Sequence, residues 1–334
     1  MEAGLPAGSY QDRLSVRARV ALCACTYKRP DGLRALLAGL GRQEFASAPR
    51  PDLHIVIADN EGSAEVRRIC ELFSAESGIP LTCVHEPRRG ISFARNACLD
   101  HVPAECGFFA FVDDDEVPDP DWLERLMEAQ RRTGADVVQG AVVPVFEPDA
   151  PRWLVEGGFL GWPRRNWRGV RPELAEDQEL PEAYTNNVLV RASAVAGAGL
   201  RFDPDFALAG GGDSHFFKTL RAAGHRIVYA PSAIVRESVP PDRATLWYRM
   251  RLEYRIAISP LKAKARQGGA RTPLQRLRRL WRDAGADKLA SGIGCLARSA
   301  AGLDADRAVV GCLRIAYGAG QLARSLGLTY HIYR

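Results

Sequence analysis

A five-residue apolar run, Phe108–Val112 (FFAFV), stands directly before four consecutive carboxylates, Asp113 to Glu116. A run this apolar predicts a strand covered on both faces, as in the centre of a parallel sheet. Open α/β sheets bind their ligands outside the carboxyl ends of the strands. Four crowded carboxylates repel one another unless a cation neutralises them, and hard carboxylate oxygens suit Mg²⁺ or Mn²⁺. The sequence therefore predicts a divalent-cation site here; the alternative is a solvated acidic turn that caps the next helix.

Short β-like runs alternate with helical patterns over the first 240 residues, which indicates an α/β sheet. The predicted strands are Val20–Thr26, Leu53–Ala58, Leu81–His85, Phe108–Val112, Val137–Phe146, Thr185–Val190 and Ile227–Ala230. Predicted helices begin at Pro30, at Ser63, near Ser92 as a candidate N-cap, at Asp121 and at Asp213. Residues 147–183 are irregular and too long for a connector, which predicts a functional flap.

The composition sets limits on location. None of the apolar runs reaches the 18 residues expected of a membrane span, and no secretory signal is visible at the start. The eight cysteines never form CxxC, which predicts a reducing, cytoplasmic environment without a zinc site or disulfides. We expect a tail at 1–18, a catalytic α/β domain at 19–240 and a basic helical region at 241–334.

That last region is strongly basic. Residues 243–334 hold 18 Lys and Arg against 5 Asp and Glu, within a chain whose net charge is +5. Asp242 is a candidate cap for a helix through Leu246 and Tyr254, and the pattern at 274–281 predicts a basic amphipathic helix. Two interpretations stay open: contact with an anionic membrane surface, at the inner face, or packing on the protein body. Nucleic acid is not expected, because no readout motif is present.

A second group of charged residues precedes the helix near Ser92. Arg88, Arg89 and Gly90 come just before its start, where free N–H groups and the helix dipole favour an anion. Arg95 falls three residues after Ser92, on the same side of that helix. The pattern predicts a phosphate-binding site; a solvated basic turn is the alternative.

A third group is the glycine-rich segment that ends in Asp213. Gly210, Gly211 and Gly212 let the backbone approach a ligand closely, and Asp213 stands where a helix begins. A carboxylate in that position can act as a general base, or simply as an N-cap. His215 is a candidate ligand or second base, but a structural role is more common for a lone histidine.

Seven stretches in this order resemble one enzyme family: CTYKRPDGLRALL, IVIADNEGS, EPRRGISFARN, FFAFVDDDEVPDPDWLERL, TNNVLVR, GGGDSHFF and VPPDRATLWYRMR. They are similar to inverting family 2 glycosyltransferases with the GT-A fold, of the type that assembles bacterial polysaccharides such as succinoglycan. The resemblance covers about residues 19–257. It implies a Rossmann-like, mixed but mainly parallel sheet flanked by helices, with a C-terminal helical extension.

The resemblance also implies an activity. A sugar would pass, with inversion, from a nucleotide-sugar donor such as a UDP-sugar to a hydroxyl of a glycan or lipid-linked acceptor, helped by Mg²⁺ or Mn²⁺. Asp113 and Asp115 match the two ends of the Asp-x-Asp signature of metal and donor binding, and Asp213 matches the catalytic base. The other implied donor-binding residues are Thr26, Arg29, Asp59, Arg88, Arg89, Arg95 and Asp114. The implied acceptor-side residues are Gly211, Gly212, His215 and Asn187. Trp153, Trp162 and Trp167 of the 147–183 flap are further acceptor-side candidates, because aromatic faces suit sugar rings.

Two other functions remain open from the sequence. A nucleotidyltransferase also uses an α/β sheet and carboxylate-bound Mg²⁺, but its glycine-rich, lysine-bearing loop after the first strand is missing from CTYKRPDG. A nucleotide-sugar-binding scaffold without activity would have no need of a base such as Asp213.

Overall fold

The computed structural model describes residues 18–166, 168, 172–208, 210–258, 285–302, 304–326 and 328. The strands are β1 Arg19–Thr26, β2 Asp52–Asp59, β3 Leu81–His85, β4 Phe108–Val112, β5 Glu116–Pro118, β6 Val137–Phe146, β7 Asn187–Arg191 and β8 Ile227–Val239. The α-helices are α1 Pro30–Gly41, α2 Ala64–Ser77, α3 Ile91–His101, α4 Trp122–Thr133, α5 Arg152–Val155, α6 Ala192–Gly197, α7 Gly212–Ala222, α8 Leu246–Ile258, α9 Ala286–Gly302 and α10 Ala305–Ser325. The strands form one mixed sheet in the order β3-β2-β1-β4-β7-β6-β8-β5.

Strand β4 is covered on both faces, as its composition predicts. Phe109 and Phe111 pack into the hydrophobic core on one face of the sheet, and Ala110 and Val112 into the core on the other. Strands β3, β2, β1 and β4 lie side by side and run parallel to one another, whereas β4 pairs antiparallel with β7 on its other side. Their carboxyl ends therefore meet at one edge of the sheet, and Asp113 begins there.

Strand β8 is longer than predicted. The predicted strand stops at Ala230 because Pro231 follows, but the pairing resumes: Gly140 of β6 faces Ala230 and the next residue, Ala141, faces Ile234. The residues between form a bulge that accommodates the proline. The continuation to Val239 pairs Glu237 with Glu116 of β5, a short strand that the sequence analysis missed.

Two predicted helix caps are wrong. Helix α3 begins at Ile91 with Gly90 as its N-cap residue, at φ +137°, and Ser92 is buried inside the first turn with no partner for its hydroxyl. Helix α8 is capped by Thr245, whose hydroxyl accepts from the backbone N–H of Tyr248 at 3.1 Å, and not by Asp242. In each case the local sequence was compatible with either cap residue. The packing of the preceding loop determines which residue caps the helix.

The described C-terminal helices pack on the body of the protein. Val309 and Leu313 of α10 share an apolar cluster with Leu154 and Phe159 from the 147–183 segment. Gly320 of α10 lies so close to α8 that an added Cβ would be 2.4 Å from the carbonyl oxygen of Tyr254. The basic pattern at 274–281 lies outside the described residues, as does Trp167. Among the described helices, none is both long enough and apolar enough to cross a membrane.

Candidate active site

A cleft of about 510 Å³ opens at the carboxyl ends of β1 and β4. Parallel strands bring the residues that follow each of them to this edge. The cleft contains residues from the first, second and fourth strand ends and from α3. Its lining residues are Cys25, Thr26, Tyr27, Lys28, Arg29, Asn60, Arg89, Ile91, Ala94, Arg95, Asp113, Asp114 and Asp115.

Asp114 anchors the floor of this cleft. Its carboxylate accepts from the Thr26 hydroxyl at 2.9 Å and from Nη1 of Arg29 at 3.1 Å, and the residue is only 7% exposed. Gly32 of α1 touches the same loop, since a Cβ there would be 2.3 Å from the carbonyl oxygen of Asp114. Burial raises the pKa of Asp114, while Arg29 and Thr26 oppose that shift. Thr26, Arg29 and Asp114 thus form one interlocked unit, with Asp114 supporting the loop.

One oxygen of the Asp115 carboxylate accepts hydrogen bonds from two arginines. Nη1 of Arg29 and Nη1 of Arg243 each donate to its Oδ2 at 2.7 Å. Its backbone carbonyl accepts from the N–H of Ser238 at 3.0 Å, so the end of β8 supports the same loop. Arg243, which follows the Pro240–Pro241 pair, is not among the predicted site residues, although it lies in the VPPDRATLWYRMR stretch that resembles the family.

Asp113 is the carboxylate with the most perturbed titration in the cleft. Burial raises its pKa to about 7; Arg95 opposes the shift, and the charges of Asp115, Asp114 and Asp213 add to it. Its backbone N–H donates to Oε2 of Glu116 at 3.0 Å, and burial raises the pKa of Glu116 well above the usual value. This crowding of acids supports the expectation that the site gains from a cation.

The second motif is only partly in the cleft. Arg89 and Arg95 line it, and Arg95 is just 9% exposed. Arg88, predicted to bind the donor, instead donates from Nε and Nη2 to the carboxylate of Glu86 at 2.8 and 2.7 Å and lies outside the cleft lining. That pairing, two residues apart, satisfies the guanidinium locally, so Arg88 does not line the cleft here and its role in donor binding stays a prediction.

Asp59 likewise shapes a loop and is not part of the cleft lining. Its carboxylate accepts from the backbone N–H groups of Glu61 and Ser63 at 2.9 and 2.6 Å. The neighbouring Asn60 lines the cleft instead, and its side-chain oxygen accepts from the N–H of Gly90 at 2.9 Å. Sequence analysis missed Asn60, although an Asn directly after a strand is a recognisable turn signal.

Asp213 lies in the first turn of α7, after the glycine run. Its Oδ1 accepts from the N–H of Ser214 at 2.8 Å. The turn packs against the second motif: the N–H of Ile91 donates to the carbonyl of Ala207 at 3.1 Å, and a Cβ on Gly212 would be 3.4 Å from the Ser92 hydroxyl. The negative charge of Asp213 contributes to the raised pKa of Asp113. The structure therefore brings all three motifs to one place.

Three further groups beside this centre were not predicted. Burial raises the pKa of Glu237 to about 7, with contributions from the nearby charges of Asp115 and Asp113. Arg164, from the 147–183 segment, opposes that shift and also acts on Tyr184, whose pKa is raised by burial and by the charges of Glu182 and Asp213. No local sequence pattern indicates these three residues. They come together only because β8 extends past its predicted end and because of the path of the 147–183 segment.

Several residues predicted to lie on the acceptor side make other contacts in the structure. Asn187 is fully buried: it accepts from Nε1 of Trp122 at 2.7 Å and donates to the carbonyls of Ala141 and Ala233 at 2.8 Å each, so its contact with an acceptor is excluded. His215 packs on Phe206 with ring centres 5.1 Å apart, which is a structural contact. Gly211 takes φ +88° at the N-cap of α7, and Gly212 is the first residue of that helix.

The flap tryptophans pack within the protein. Trp153 packs on Phe159 at a centroid distance of 5.9 Å, in the apolar cluster that includes α10. Trp162 contacts Tyr184 and Tyr229, with centroid distances of 6.0 and 5.1 Å. These contacts explain how the described part of 147–183 is held down, and they account for Trp153 without an acceptor.

The donor set for a metal ion consists of two carboxylates. Within the described ranges, His, Cys, Asp and Glu side chains nowhere gather as a ready-made group of three. Asp113 and Asp115 nevertheless fit Mg²⁺ or Mn²⁺, because Mg²⁺ typically takes one or two protein carboxylates and completes its shell with water and substrate phosphates. The pKa of Asp113 is raised because Arg95 does not fully offset burial and the neighbouring acids, and a bound cation would supply further positive charge.

Comparisons with known proteins agree on one family. Residues 22–196 match the family described as glycosyl transferase family 2. The succinoglycan biosynthesis protein ExoM of Rhizobium meliloti (strain 1021) is 36% identical over 231 residues, which is 69% of this chain and 70% of ExoM. The succinoglycan biosynthesis protein ExoW of the same organism is 32% identical over 33% of each chain.

Solved structures show the same fold. The mannosyltransferase PcManGT from Pyrobaculum calidifontis, solved in complex with GDP-Man and Mn²⁺, superimposes with a TM-score of 0.61 at 20% identity, covering 94% of this chain and 88% of that one. TarS 1–349 of S. aureus gives a TM-score of 0.52 at 15% identity, with 93% of each chain covered. The mixed sheet with flanking helices is thus a GT-A fold, as the sequence predicts.

Proposed function

The chain belongs to glycosyl transferase family 2, and from that premise we propose that it is an inverting enzyme that moves a sugar from a nucleotide-sugar donor to a hydroxyl group. We propose a UDP-sugar as the donor, Mg²⁺ or Mn²⁺ as the cofactor and Asp213 as the general base. The catalytic unit would be residues 19–240.

One observation carries this proposal: acids and arginines converge on a single cleft in an order that suits a diphosphate. Asp113 and Asp115 lie beside Arg89 and Arg95 in its lining, and the negative charge of Asp213 is close enough to help raise the pKa of Asp113. Carboxylates that hold a cation and arginines that face phosphate oxygens together fit the pyrophosphate of a sugar nucleotide. A carboxylate beyond them fits a base for the attacking hydroxyl.

The leaving group is the chemical difficulty, because a diphosphate must accept negative charge as the C1–O bond breaks. A divalent cation held by Asp113 and Asp115 supplies Lewis-acid stabilisation of that charge. Arg89 and Arg95 would stabilise the same oxygens through charge-assisted hydrogen bonds, and the burial of Arg95 strengthens its effect. Asp114 keeps the loop in place through Thr26 and Arg29 and need not touch the donor.

Asp213 would act on the opposite side of the sugar ring. It removes the proton from the acceptor hydroxyl as that oxygen attacks C1, so one displacement inverts the anomeric configuration. The flexible glycine run before it lets the acceptor approach the backbone closely. Arg164, Tyr184 and Glu237 surround this side and would contact the acceptor or order it.

The acceptor we propose is a glycan or a lipid-linked sugar in the synthesis of a cell-surface polysaccharide. Two relatives are named for succinoglycan biosynthesis, and a third, 30% identical over 42% of this chain, is the glucosyl-dolichyl phosphate glucuronosyltransferase of Haloferax volcanii. A cytoplasmic enzyme with a basic C-terminal region would meet such an acceptor at the inner membrane face. Salt-sensitive co-sedimentation with anionic liposomes, lost on truncation after residue 258, tests that location.

A donor screen tests the activity. Purified protein is incubated with UDP-, GDP- and dTDP-sugars, with Mn²⁺ or with EDTA, and the products are separated by chromatography. Metal-dependent release of the nucleoside diphosphate supports glycosyl transfer. Release of pyrophosphate would indicate nucleotidyl transfer instead, and metal-dependent donor binding without turnover across many acceptors would indicate a scaffold.

A further inference from the structure

One carboxylate oxygen at the edge of the cleft carries two guanidinium groups. Arg29, just before α1, and Arg243, in the turn before α8, both donate to Oδ2 of Asp115 at 2.7 Å. This oxygen belongs to a carboxylate that the proposed function assigns to the divalent cation. Because both arginines occupy it, a cation that binds there must displace at least one of them.

The two arginines are not equally held. Arg29 has a second carboxylate, Asp114, at 3.1 Å, which is itself buried and bonded to the Thr26 hydroxyl. Arg243 has fewer partners than Arg29. In the part of the chain that the structure describes, its guanidinium donates to Asp115, and the Tyr248 ring lies 6.0 Å away. Arg243 is therefore the arginine that leaves.

Space for this movement exists next to Asp115. A second cavity, of about 350 Å³, adjoins the donor cleft and shares Arg29, Asp114 and Asp115 with its lining. The side chain of Arg243 borders this cavity and is 21% exposed. The guanidinium therefore has open space beside it, and its partner Asp115 lines the proposed donor cleft.

We propose that Arg243 binds the diphosphate of the donor, and that in the donor-free protein its guanidinium forms an ion pair with Asp115 instead. The inference rests on the proposed function, because it requires a nucleoside diphosphate in the cleft. Asp115 exchanges Arg243 for the divalent cation, and the freed guanidinium donates to diphosphate oxygens, for which its planar fork of N–H groups is suited. Since Arg243 leads directly into α8, the exchange also links donor binding to the C-terminal helices.

Two binding measurements on Arg243→Gln test the exchange. Isothermal titration with Mn²⁺ alone should show affinity raised about tenfold over the wild type, because a competing charge-assisted hydrogen bond has been removed. Titration with UDP at saturating Mn²⁺ should show affinity lowered about tenfold, because a charged hydrogen bond to the diphosphate is lost. The matched control is Arg236→Gln, which removes a half-exposed arginine paired with Asp119 outside the cleft and should change neither value.

The opposite signs separate this role from a structural one. A residue that merely holds Asp115 in place would, when removed, weaken Mn²⁺ and UDP together, and that result would overturn the inference, as would unchanged UDP affinity. If Arg243→Gln fails to fold, Arg243→Lys keeps the charge but loses the fork, so Mn²⁺ affinity should stay near the wild-type value while UDP affinity falls. A wild-type protein that binds none of UDP, GDP and dTDP with Mn²⁺ would instead contradict the proposed function, and this inference with it.

Discussion

The part of the cleft proposed to bind the donor (the donor half) and the part proposed to bind the acceptor (the acceptor half) are built in different ways. In the donor half, Asp114 and Asp115 follow a parallel strand, and each carboxylate is bonded to arginine at 3.1 Å or less. In the acceptor half, Asp213, Glu237 and Arg164 come from three separate elements. Within the described ranges, neither the Glu237 carboxylate nor the Arg164 guanidinium has a hydrogen bond. The carboxylates of the donor half are thus paired with arginines in the donor-free protein, whereas these two charged groups of the acceptor half have no hydrogen-bond partner among the described residues.

This contrast matches the two tasks. A diphosphate carries a fixed charge, so a site in which the arginines are already gathered loses less entropy when it binds. An acceptor hydroxyl is neutral and must be positioned against a base, so its site gains from polar groups that are free until it arrives. Four substitutions test whether the two halves are as independent as they look.

The largest effect is expected from Asp213→Asn. An amide cannot accept the proton of the acceptor hydroxyl, so kcat should fall by about 10²–10⁴-fold. UDP affinity with Mn²⁺ should stay near the wild-type value, because the donor half does not depend on this side chain. Steady-state assays and titration calorimetry measure the two quantities, with Asp205→Asn on the neighbouring exposed turn as the control. Equal loss of donor affinity would show that the halves are coupled.

Helix α8 contains a buried ion pair, whose Arg249 is close enough to Arg164 of the acceptor half for the two charges to interact. Nη2 of Arg249 donates to Glu253 at 2.8 Å, with both side chains nearly inaccessible, and burial lowers the pKa of Arg249 to about 10. Glu253→Gln leaves that cation without a counter-charge, so the free energy of unfolding should fall by about 3–5 kcal/mol.

Urea unfolding measures this loss, and the chain supplies a matched control. Arg152 and Glu156 form a pair with the same spacing of four residues, but both are well exposed. Glu156→Gln should therefore cost about 0.5 kcal/mol or less. Similar losses in the two variants would mean that burial is not what makes the α8 pair important.

The donor half should be sensitive to backbone crowding. An added Cβ at Gly32 would lie 2.3 Å from the carbonyl oxygen of Asp114, so Gly32→Ala must push α1 away from the Asp114 loop. Overpacking of this kind costs about 1–3 kcal/mol, and we expect UDP affinity to fall with it. Gly197→Ala, where a Cβ meets nothing within 4 Å, is the control. A stable variant with unchanged UDP affinity would show that the loop is less rigid than its hydrogen bonds indicate.

The smallest effect is a pH dependence centred on Asp113. Its pKa of about 7 lies above the ordinary unfolded value near 3.9, so the folded protein keeps a proton that the unfolded chain releases. Stability contributed by this group is present below about pH 4 and is lost as pH rises to about 7. In EDTA, Asp113→Asn should therefore gain about 1–2 kcal/mol on the wild type as the pH rises from about 5 to about 6.5. A difference that stays constant with pH in urea unfolding would contradict the raised pKa.

The donor half could be predicted from sequence because it is local. Strand-forming runs that end in Thr26 and Val112 place their next residues at one edge of the sheet, and the acids and arginines stand within a few residues of those ends. Arg88 was the exception, since a glutamate two residues away satisfies it. The acceptor half could not be predicted in the same way. Glu237 depends on a bulge that carries β8 past Pro231, and Arg243 depends on where the chain turns after that strand.

The most direct test of the proposed site is UDP binding to the wild type and to Asp115→Ala, each in Mn²⁺ and in EDTA. If Asp115 holds a divalent ion against the pyrophosphate, EDTA should lower wild-type affinity at least about tenfold, as expected for a lost charged contact. Asp115→Ala should then bind equally weakly in both buffers. Wild-type affinity that ignores EDTA, or an Asp115→Ala protein that still responds fully to Mn²⁺, would contradict the assignment.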